Sequence, residues 1–205
     1  MNIRDEKNVE IELKLLTTIE ENKNISQRSI SKEINVALGL TNSLVKKFVK
    51  KGFLKLKQAP MKRFLYYLTP KGLIEKSRLT QEYIRSSLIF FKRAKQDFEE
   101  IFKLLKKKKN QNICLIGTGE ICEIAILVSN QLNVNVDCIF DVKFKKKFFY
   151  GIPVKNNFDL ISSRNNFSFI LCETKDINLN LKKFSDLNEN IFSPKFMMIN
   201  RKKKK

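Results

Sequence analysis

The spacing of apolar residues within residues 26–72 constrains the fold of this chain more than any other feature. Ser26 is suited to cap a helix over residues 27–34, which places its apolar residues on one face. Asn35 follows, and Asn is one of the few side chains that tolerate the left-handed backbone of a tight turn. Apolar residues then recur at helical spacing over residues 38–50. The segment therefore predicts two helices joined by a tight turn, as in a helix-turn-helix.

A β-hairpin is predicted directly after these helices. Gly52 ends the second of them, and residues 53–57 alternate apolar and basic side chains as a strand does. Residues 58–63 form a turn, and residues 64–68 return as the second strand. An amphipathic helix over residues 9–21 precedes the whole segment. The predicted N-terminal fold is a winged helix-turn-helix of the α+β class.

Positive charge is concentrated in this segment. From Ser26 to Lys71 the sequence holds eleven Lys or Arg residues and one acid, Glu33. The whole chain carries a formal net charge of +20, which favours a polyanionic partner, with nucleic acid first and an anionic membrane surface second. No apolar stretch reaches the roughly 18 to 20 residues of a spanning helix, and the first ten residues contain no apolar signal core. We therefore expect a cytoplasmic protein without membrane insertion.

The helix over residues 38–50 presents a polar face that suits double-stranded DNA. Small and polar residues near its start would meet base edges, and later lysines would meet phosphates. The candidate DNA-binding residues of this face are Leu40, Asn42, Ser43, Lys46 and Lys47. The Asn42 amide can bond an adenine edge at two points. At the hairpin tip, Lys57, Lys62 and Arg63 suit phosphate or minor-groove contact. Both groups could instead be ordinary solvated residues.

Several runs in the first half resemble a known family of regulators. They are SQR at residues 26–28, NSLVKKFVKKGFLK at residues 42–55, LTPKG at residues 68–72 and KSRLT at residues 76–80. These runs are similar to the winged-helix regulators of the MarR class, specifically the short group associated with exopolysaccharide gene clusters. The resemblance covers about residues 8–105. It implies a sequence-specific, dimeric DNA-binding protein, in which Gln27 and Arg28 open a helix and join the DNA-binding residues.

The resemblance has two departures, both in the helix-turn-helix. Asn35 stands where glycine is usual in the turn, and Ala37 stands where a Ser cap would be expected. Such changes weaken the start of a helix by about 1 kcal/mol, so we expect the topology to be unchanged.

A long helix is predicted after the hairpin. Thr69 is a fair cap, and no strong helix breaker appears between Pro70 and Asn110. Apolar residues recur along it at spacings of three and four, close to those of a coiled-coil seam. They are Ile84, Leu88, Phe91, Ala94, Phe98, Ile101 and Leu105. We interpret this stripe as a dimerisation surface, although it could instead pack against the second half of the same chain.

The second half opens with a glycine turn between a short apolar run and a helix-like stretch. Strand, glycine turn and helix in this order begin a Rossmann-type unit. A second apolar run, residues 136–140, ends in Asp141, which in such a fold is placed to accept from a ribose hydroxyl. The candidate cofactor-binding residues are Gly117, Thr118, Gly119, Glu120, Ile121 and Asp141. Cys122 replaces the usual third glycine and Glu120 is negative, so the turn could serve only to connect a strand to a helix.

The downstream pattern also resembles known domains. Asp141 is followed by basic residues, by YGIPV at residues 150–154 and by Asp159. This pattern is similar to the Rossmann-like domains that open sugar acyltransferases and polysaccharide-biosynthesis epimerases, and to the cofactor domain of Rex-type redox repressors. Those relatives bind CoA, a nucleotide sugar or NAD(H). The resemblance covers roughly residues 112–200 with loose motifs, so it implies a nucleotide-type ligand without identifying one.

Further elements complete the predicted C-terminal α/β domain. Residues 167–171 and 195–199 are predicted as strands and residues 179–187 as a helix, which gives an open, mainly parallel sheet of about five strands. The chain then divides into a winged helix-turn-helix domain (1–72), a linking and dimerisation helix (73–110), a Rossmann-like domain (111–201) and a basic tail (202–205).

Catalysis is not expected from these residues. The sequence contains no histidine, and no Tyr-x-x-x-Lys pair or metal-ligand cluster accompanies the glycine turn. The four cysteines all lie in the second half, without a CxxC pair, and we expect reduced core thiols. We expect a dimeric DNA-binding transcriptional regulator whose second domain senses a nucleotide-type metabolite or only supports assembly, with a link to polysaccharide biosynthesis. The alternatives are a nucleotide-sugar enzyme or subunit that uses the winged helix for protein interaction, and nonspecific binding driven by charge.

Overall fold

The chain forms two compact units, residues 1–89 and 90–205. The structure is a computed structural model, and it describes residues 3–22, 24–59, 63–108, 112–157, 167–173 and 190–197. None of the helices in the described ranges is both long and apolar enough to cross a membrane.

The first unit is a three-helix head followed by a two-stranded hairpin. Its elements are α1 (Ile3–Glu21), α2 (Gln27–Glu33), α3 (Leu38–Lys50), β1 (Leu54–Ala59), β2 (Arg63–Leu68) and the first part of α4 (Pro70–Lys107). The strands pair in antiparallel register, with Leu56 opposite Tyr66. Apolar side chains of all three helices and of the hairpin form one buried cluster, which fixes α3 against the head. These elements confirm the predicted winged helix-turn-helix arrangement.

The tight turn of the helix-turn-helix is built as the sequence indicates. The Ser26 hydroxyl accepts a hydrogen bond from the Ser29 amide at 3.1 Å and caps α2. Asn35 has a φ of 53°, the left-handed conformation that glycine usually supplies in such turns. The Ser31 hydroxyl donates to the Val36 carbonyl at 2.6 Å and closes the turn. The Asn35 substitution therefore leaves the topology intact.

The LTPKG run joins the hairpin to α4. The Thr69 hydroxyl donates to the Gly52 carbonyl at 2.7 Å and accepts from the Gly72 amide at 3.0 Å. Thr69 thus caps α4 and ties it to the end of α3. A Cβ atom on Gly72 would lie 2.2 Å from the Phe53 carbonyl oxygen, so only glycine allows this approach.

The second unit contains a six-stranded sheet. Its strands are β3 (Asn112–Ile116), β4 (Cys138–Phe140), β5 (Phe148–Phe149), β6 (Ile152–Lys155), β7 (Phe167–Leu171) and β8 (Ile191–Phe192), arranged in the order β5-β6-β4-β3-β7-β8. All pairs are parallel except β5 with β6. Helix α5 (Glu120–Gln131) connects β3 to β4. Alternate strand residues enter two separate buried clusters, one on each face of the sheet, as an α/β domain requires.

Two expectations about this unit are wrong and one lies outside the described residues. The last four positions of the α4 stripe, from Ala94 to Leu105, are at most 7% exposed and pack in the core of the second unit with α5 and the sheet, so they cannot form a dimer seam. The expected strand over residues 195–199 is also incorrect over its described part, residues 195–197. Lys195–Met197 is a short 3₁₀ helix, and the preceding β8 takes the edge of the sheet. The predicted helix over residues 179–187 falls outside the described residues.

Candidate nucleic-acid interface

Helix α3 separates a buried face from an exposed one. Thr41, Val45 and Phe48 are buried in the head because they recur at helical spacing. The opposite face is exposed and consists of Gly39, Leu40, Ser43, Lys46, Lys47 and Lys50. Leu40 keeps 49% of its surface exposed, so this apolar side chain is available for contact with a partner. A helix with small side chains at its start and lysines after them fits a DNA groove with phosphates at its side.

The two predicted lysines of α3 are not equivalent. The Lys47 ammonium lies 2.5 Å from a carboxylate oxygen of Glu12 on α1. Glu12 is 16% exposed, so this pair is partly screened from solvent. Within the described residues Lys46 has no ion pair and its side chain is exposed. Lys46 is therefore the freer phosphate ligand, and Lys47 must break a bond to reach DNA.

Asn42 is less accessible than the sequence pattern indicates. Its side chain is half-buried at the edge of the exposed face. The Oδ1 atom is buried and has no hydrogen-bond partner among the described residues. A buried acceptor without a partner is costly, so the Asn42 amide has to turn outward before it can read a base. The neighbouring Ser43 is already exposed.

The two predicted DNA-binding residues at the start of α2 differ in their exposure. Gln27 is half-buried. Burial raises the pKa of Tyr66 on β2, and an interaction with the Gln27 side chain partly offsets this effect. Arg28 is exposed. Gln27 thus ties α2 to the hairpin, and Arg28 is free to reach a phosphate.

The hairpin adds a second basic surface. Lys55 and Lys57 are exposed two residues apart on one face of β1, opposite Tyr67 and Leu65. Lys55 was missed from the predicted site, although its two-residue spacing from Lys57 was the available signal. Lys62 lies outside the described residues. Arg63 begins β2, and its side chain is likewise outside the described part.

The glycine turn of the second unit has a defined internal structure. Gly117 has a φ of 95°, and a Cβ there would lie 2.8 Å from the Cβ of Glu173. The Thr118 amide and hydroxyl both donate to one oxygen of Asp141, at 3.0 and 2.5 Å. The Lys143 amide donates to the other oxygen at 2.8 Å. Asp141 therefore holds the turn closed, and one of its roughly four acceptor positions is left for a ribose hydroxyl.

The surroundings of this turn are acidic. Glu120 and Glu123 occupy the first turn of α5 and are exposed, while Ile121 is half-buried beside the core. Gly119 precedes the helix and provides no side-chain cap. Carboxylates are stabilised at the positive, N-terminal end of a helix dipole, which is the position where a phosphate would otherwise bind. The arrangement opposes binding of a nucleotide phosphate at this helix end.

The cysteines form two contacting pairs in the core. Cys114 and Cys138 are opposite each other on β3 and β4. Their hydrogen bond and burial raise the pKa of the Cys114 thiol, while the same bond lowers the pKa of Cys138. Burial and contact with Cys122 raise the pKa of Cys172. In the part of the chain that the structure describes, no cluster of three or more ligands suits a metal ion.

Comparison with known proteins bears on the first unit. A family model described as winged helix-turn-helix DNA-binding matches residues 10–55, from α1 to the start of β1. The N-terminal elements are therefore a winged helix-turn-helix domain of the DNA-binding type. A search of curated proteins found no match.

A search of the solved structures found several matching chains. Among them is the crystal structure of Streptococcus pneumoniae FabT in complex with DNA, which is 18% identical and is matched over 65% of this chain and 72% of that chain with a TM-score of 0.32. Because this score is low, the assignment of the domain rests on the family model and on the elements described above.

Proposed function

We propose that this protein is a transcriptional regulator that binds double-stranded DNA as a dimer. The observation that carries the proposal is the exposed face of α3, with Leu40 and Ser43 at its start and Lys46 and Lys50 behind them. In this arrangement α3 enters the major groove, where small and polar side chains meet base edges and lysines meet phosphate oxygens. The match of residues 10–55 to a DNA-binding family model supports the same function.

The remaining DNA-binding residues flank this helix. Arg28 at the start of α2 reaches the backbone on one side, and Lys55 and Lys57 on β1 reach it on the other. Lys62 and Arg63 extend the hairpin contact toward the minor groove. Asn42 joins after its amide turns outward, and Lys47 joins after its ion pair with Glu12 is released. Gln27 contributes by holding α2 in place. Two copies bind two half-sites about one helical turn apart.

The second unit acts as a Rossmann-like regulatory domain in this proposal. Its parallel strands follow the order β6-β4-β3-β7-β8, with the glycine turn after the central β3, which supports that topology. A nucleotide-type metabolite would place a ribose hydroxyl at the free acceptor position of Asp141 and contact the turn from Gly117 to Ile121 with its phosphates directed away from Glu120 and Glu123. Regulation of polysaccharide genes follows from the family resemblance of the first half. Binding of the metabolite would favour one spacing of the two DNA-binding heads.

Binding to promoter fragments tests the DNA-binding role. The purified chain is titrated against a library of genomic promoter fragments at about 0.15 M salt, where nonspecific binding is weak. We expect enrichment of fragments that contain a two-fold symmetric sequence. Lys46→Ala should lower the affinity for all bound fragments and keep their order of affinity. Lys103→Ala, which removes the same charge from an exposed site on α4, is the control. No sequence preference at this salt concentration would refute the proposal.

Native mass spectrometry of the purified chain tests the sensing role separately. A bound nucleotide, CoA or NAD(H) that is lost from Asp141→Asn would support it. If the chain carries no such molecule and binds none from a panel of them, the sensing role is wrong and the DNA-binding role is unaffected.

A further inference from the structure

The outer face of α5 lines a cavity that the proposed function does not use. The cavity has a volume of about 490 Å³. It is lined mainly by Phe91, Ile124, Leu127, Tyr150, Glu120 and Glu123. This volume lies within the range of about 300 to 1,000 Å³ that holds small organic molecules in proteins. The cavity is thus large enough for a ligand of two or three rings.

The chemistry of the lining is apolar on most sides and acidic at one end. Leu127 and Tyr150 keep 43% and 68% of their surfaces exposed, so apolar area is open to a ligand. Glu120 and Glu123 lie one helical turn apart and share a face of α5. Among the described residues neither glutamate takes part in an ion pair, and no Lys or Arg lines the cavity. This acidic end contrasts with the net charge of +20 of the chain.

From this combination we infer that the cavity binds an organic cation with an apolar or aromatic body. Phe91 and Tyr150 line the cavity, and aromatic side chains attract both a cation and apolar groups. The two carboxylates supply the opposite charge at one end. A nucleotide is excluded from this cavity because its phosphates would meet two carboxylates without a basic partner. Glu120 belongs to both the glycine turn and the cavity, but Asp141, the proposed partner of a ribose hydroxyl, does not line the cavity.

A pair of matched ions tests the inference. Tetraphenylphosphonium and tetraphenylborate have nearly the same size and opposite charge, and their binding to the full chain is measured by calorimetry without DNA. Nonspecific attraction to a chain of net charge +20 favours the anion. We expect the cation to bind more tightly, by about ten-fold or more, which only a local acidic site explains. Tighter binding of the borate, or equal binding of both ions, would overturn the inference.

Variants locate the site. Glu120→Gln with Glu123→Gln should weaken the phosphonium about ten-fold while leaving the borate unweakened. Glu10→Gln with Glu21→Gln removes the same charge from α1 and should leave the phosphonium affinity within about two-fold. Unchanged phosphonium binding in the first double variant would exclude the cavity. Thermal unfolding of each variant shows whether the fold is retained.

A second copy of the chain is the competing occupant of this apolar surface. Leu127→Gln, at an exposed position, should lower phosphonium affinity and leave the sedimentation coefficient of the chain unchanged. If the wild type does not bind the phosphonium and Leu127→Gln converts a dimer to a monomer, the cavity is a protein interface and the inference is wrong. Because DNA is absent from these measurements, their outcome is independent of the proposed regulatory function.

Discussion

At the residue scale, Asn42 combines a proposed role in base reading with a structural cost. Its Oδ1 atom is buried without a hydrogen-bond partner among the described residues. We expect Asn42→Ala to raise the free energy of unfolding by about 1 kcal/mol, because the unsatisfied acceptor is removed and alanine favours the helix. The same variant should relax base preference. Thermal unfolding and binding to a set of operator variants measure the two effects.

The neighbouring serine provides the control for this prediction. Ser43 is exposed, so Ser43→Ala should change stability by about 0.5 kcal/mol or less through helix propensity alone. A loss of more than about 1 kcal/mol in Asn42→Ala would show that its amide makes a stabilising contact, and the interpretation of the buried oxygen would fail.

The ion pair between Lys47 and Glu12 limits the charge available to DNA. We expect Glu12→Gln to free the ammonium and strengthen DNA binding by about two- to five-fold at low salt, with a steeper dependence on salt concentration. Glu10→Gln on the same helix releases Lys14, which lies away from α3, and removes the same negative charge. Fluorescence anisotropy over a salt series measures both variants. Equal gains from both would mean that net charge, and not the release of Lys47, controls affinity.

The sequence predicted which residue types lie on the DNA-binding face but not their partners. Helical spacing along one element placed Leu40, Ser43 and Lys46 correctly on the exposed side of α3. The interaction of Gln27 with Tyr66 and the ion pair of Lys47 with Glu12 join different elements, so helical periodicity carries no information about them. The same holds for the glycine turn, because the hydrogen bond from Thr118 to Asp141 joins residues that are 23 positions apart.

At the scale of elements, the joint between hairpin and α4 depends on Gly72. A Cβ there would overlap the Phe53 carbonyl, and backbone cannot move as a side-chain end can. We expect Gly72→Ala to lower the free energy of unfolding by about 2 to 3 kcal/mol. Gly39→Ala, inside α3 with nothing within 4 Å of the added atom, should instead stabilise by about 0.5 to 1 kcal/mol. Chemical denaturation compares the two.

Stabilisation of both variants would contradict this prediction. It would mean that alanine can replace Gly72 and that close packing against Phe53 is not the reason for glycine in the LTPKG run. Thr69 and Pro70 are local helix-start signals, so the position of this joint could be predicted from the sequence. The need for glycine at residue 72 could not, because the clash comes from Phe53, a residue distant in sequence.

At the scale of the whole molecule, the apolar stripe of α4 serves two different purposes. Ala94 and Phe98 are fully buried in the core of the second unit. Ile84 and Leu88, earlier on the same helix, keep 51% and 55% of their surfaces exposed. The sequence shows one continuous stripe because both parts have the same spacing, and only the fold distinguishes the part that a core already covers. The exposed part is therefore the portion of the predicted seam that remains available for a second copy.

This division predicts how the proposed dimer can be broken without unfolding the chain. Ile84→Glu with Leu88→Glu places charge on an exposed apolar surface, so the monomer should keep its unfolding temperature within a few degrees while the dimer dissociates. Gln81→Glu with Ser87→Glu, at exposed polar positions of the same helix, adds the same charge and should leave the dimer intact. Sedimentation velocity measures the oligomeric state of each variant.

The affinity for a two-fold symmetric DNA site should fall by at least about ten-fold in Ile84→Glu with Leu88→Glu, because two linked heads bind far more tightly than one. A wild-type chain that sediments as a monomer, or a first variant that stays dimeric, would move the dimer interface away from α4.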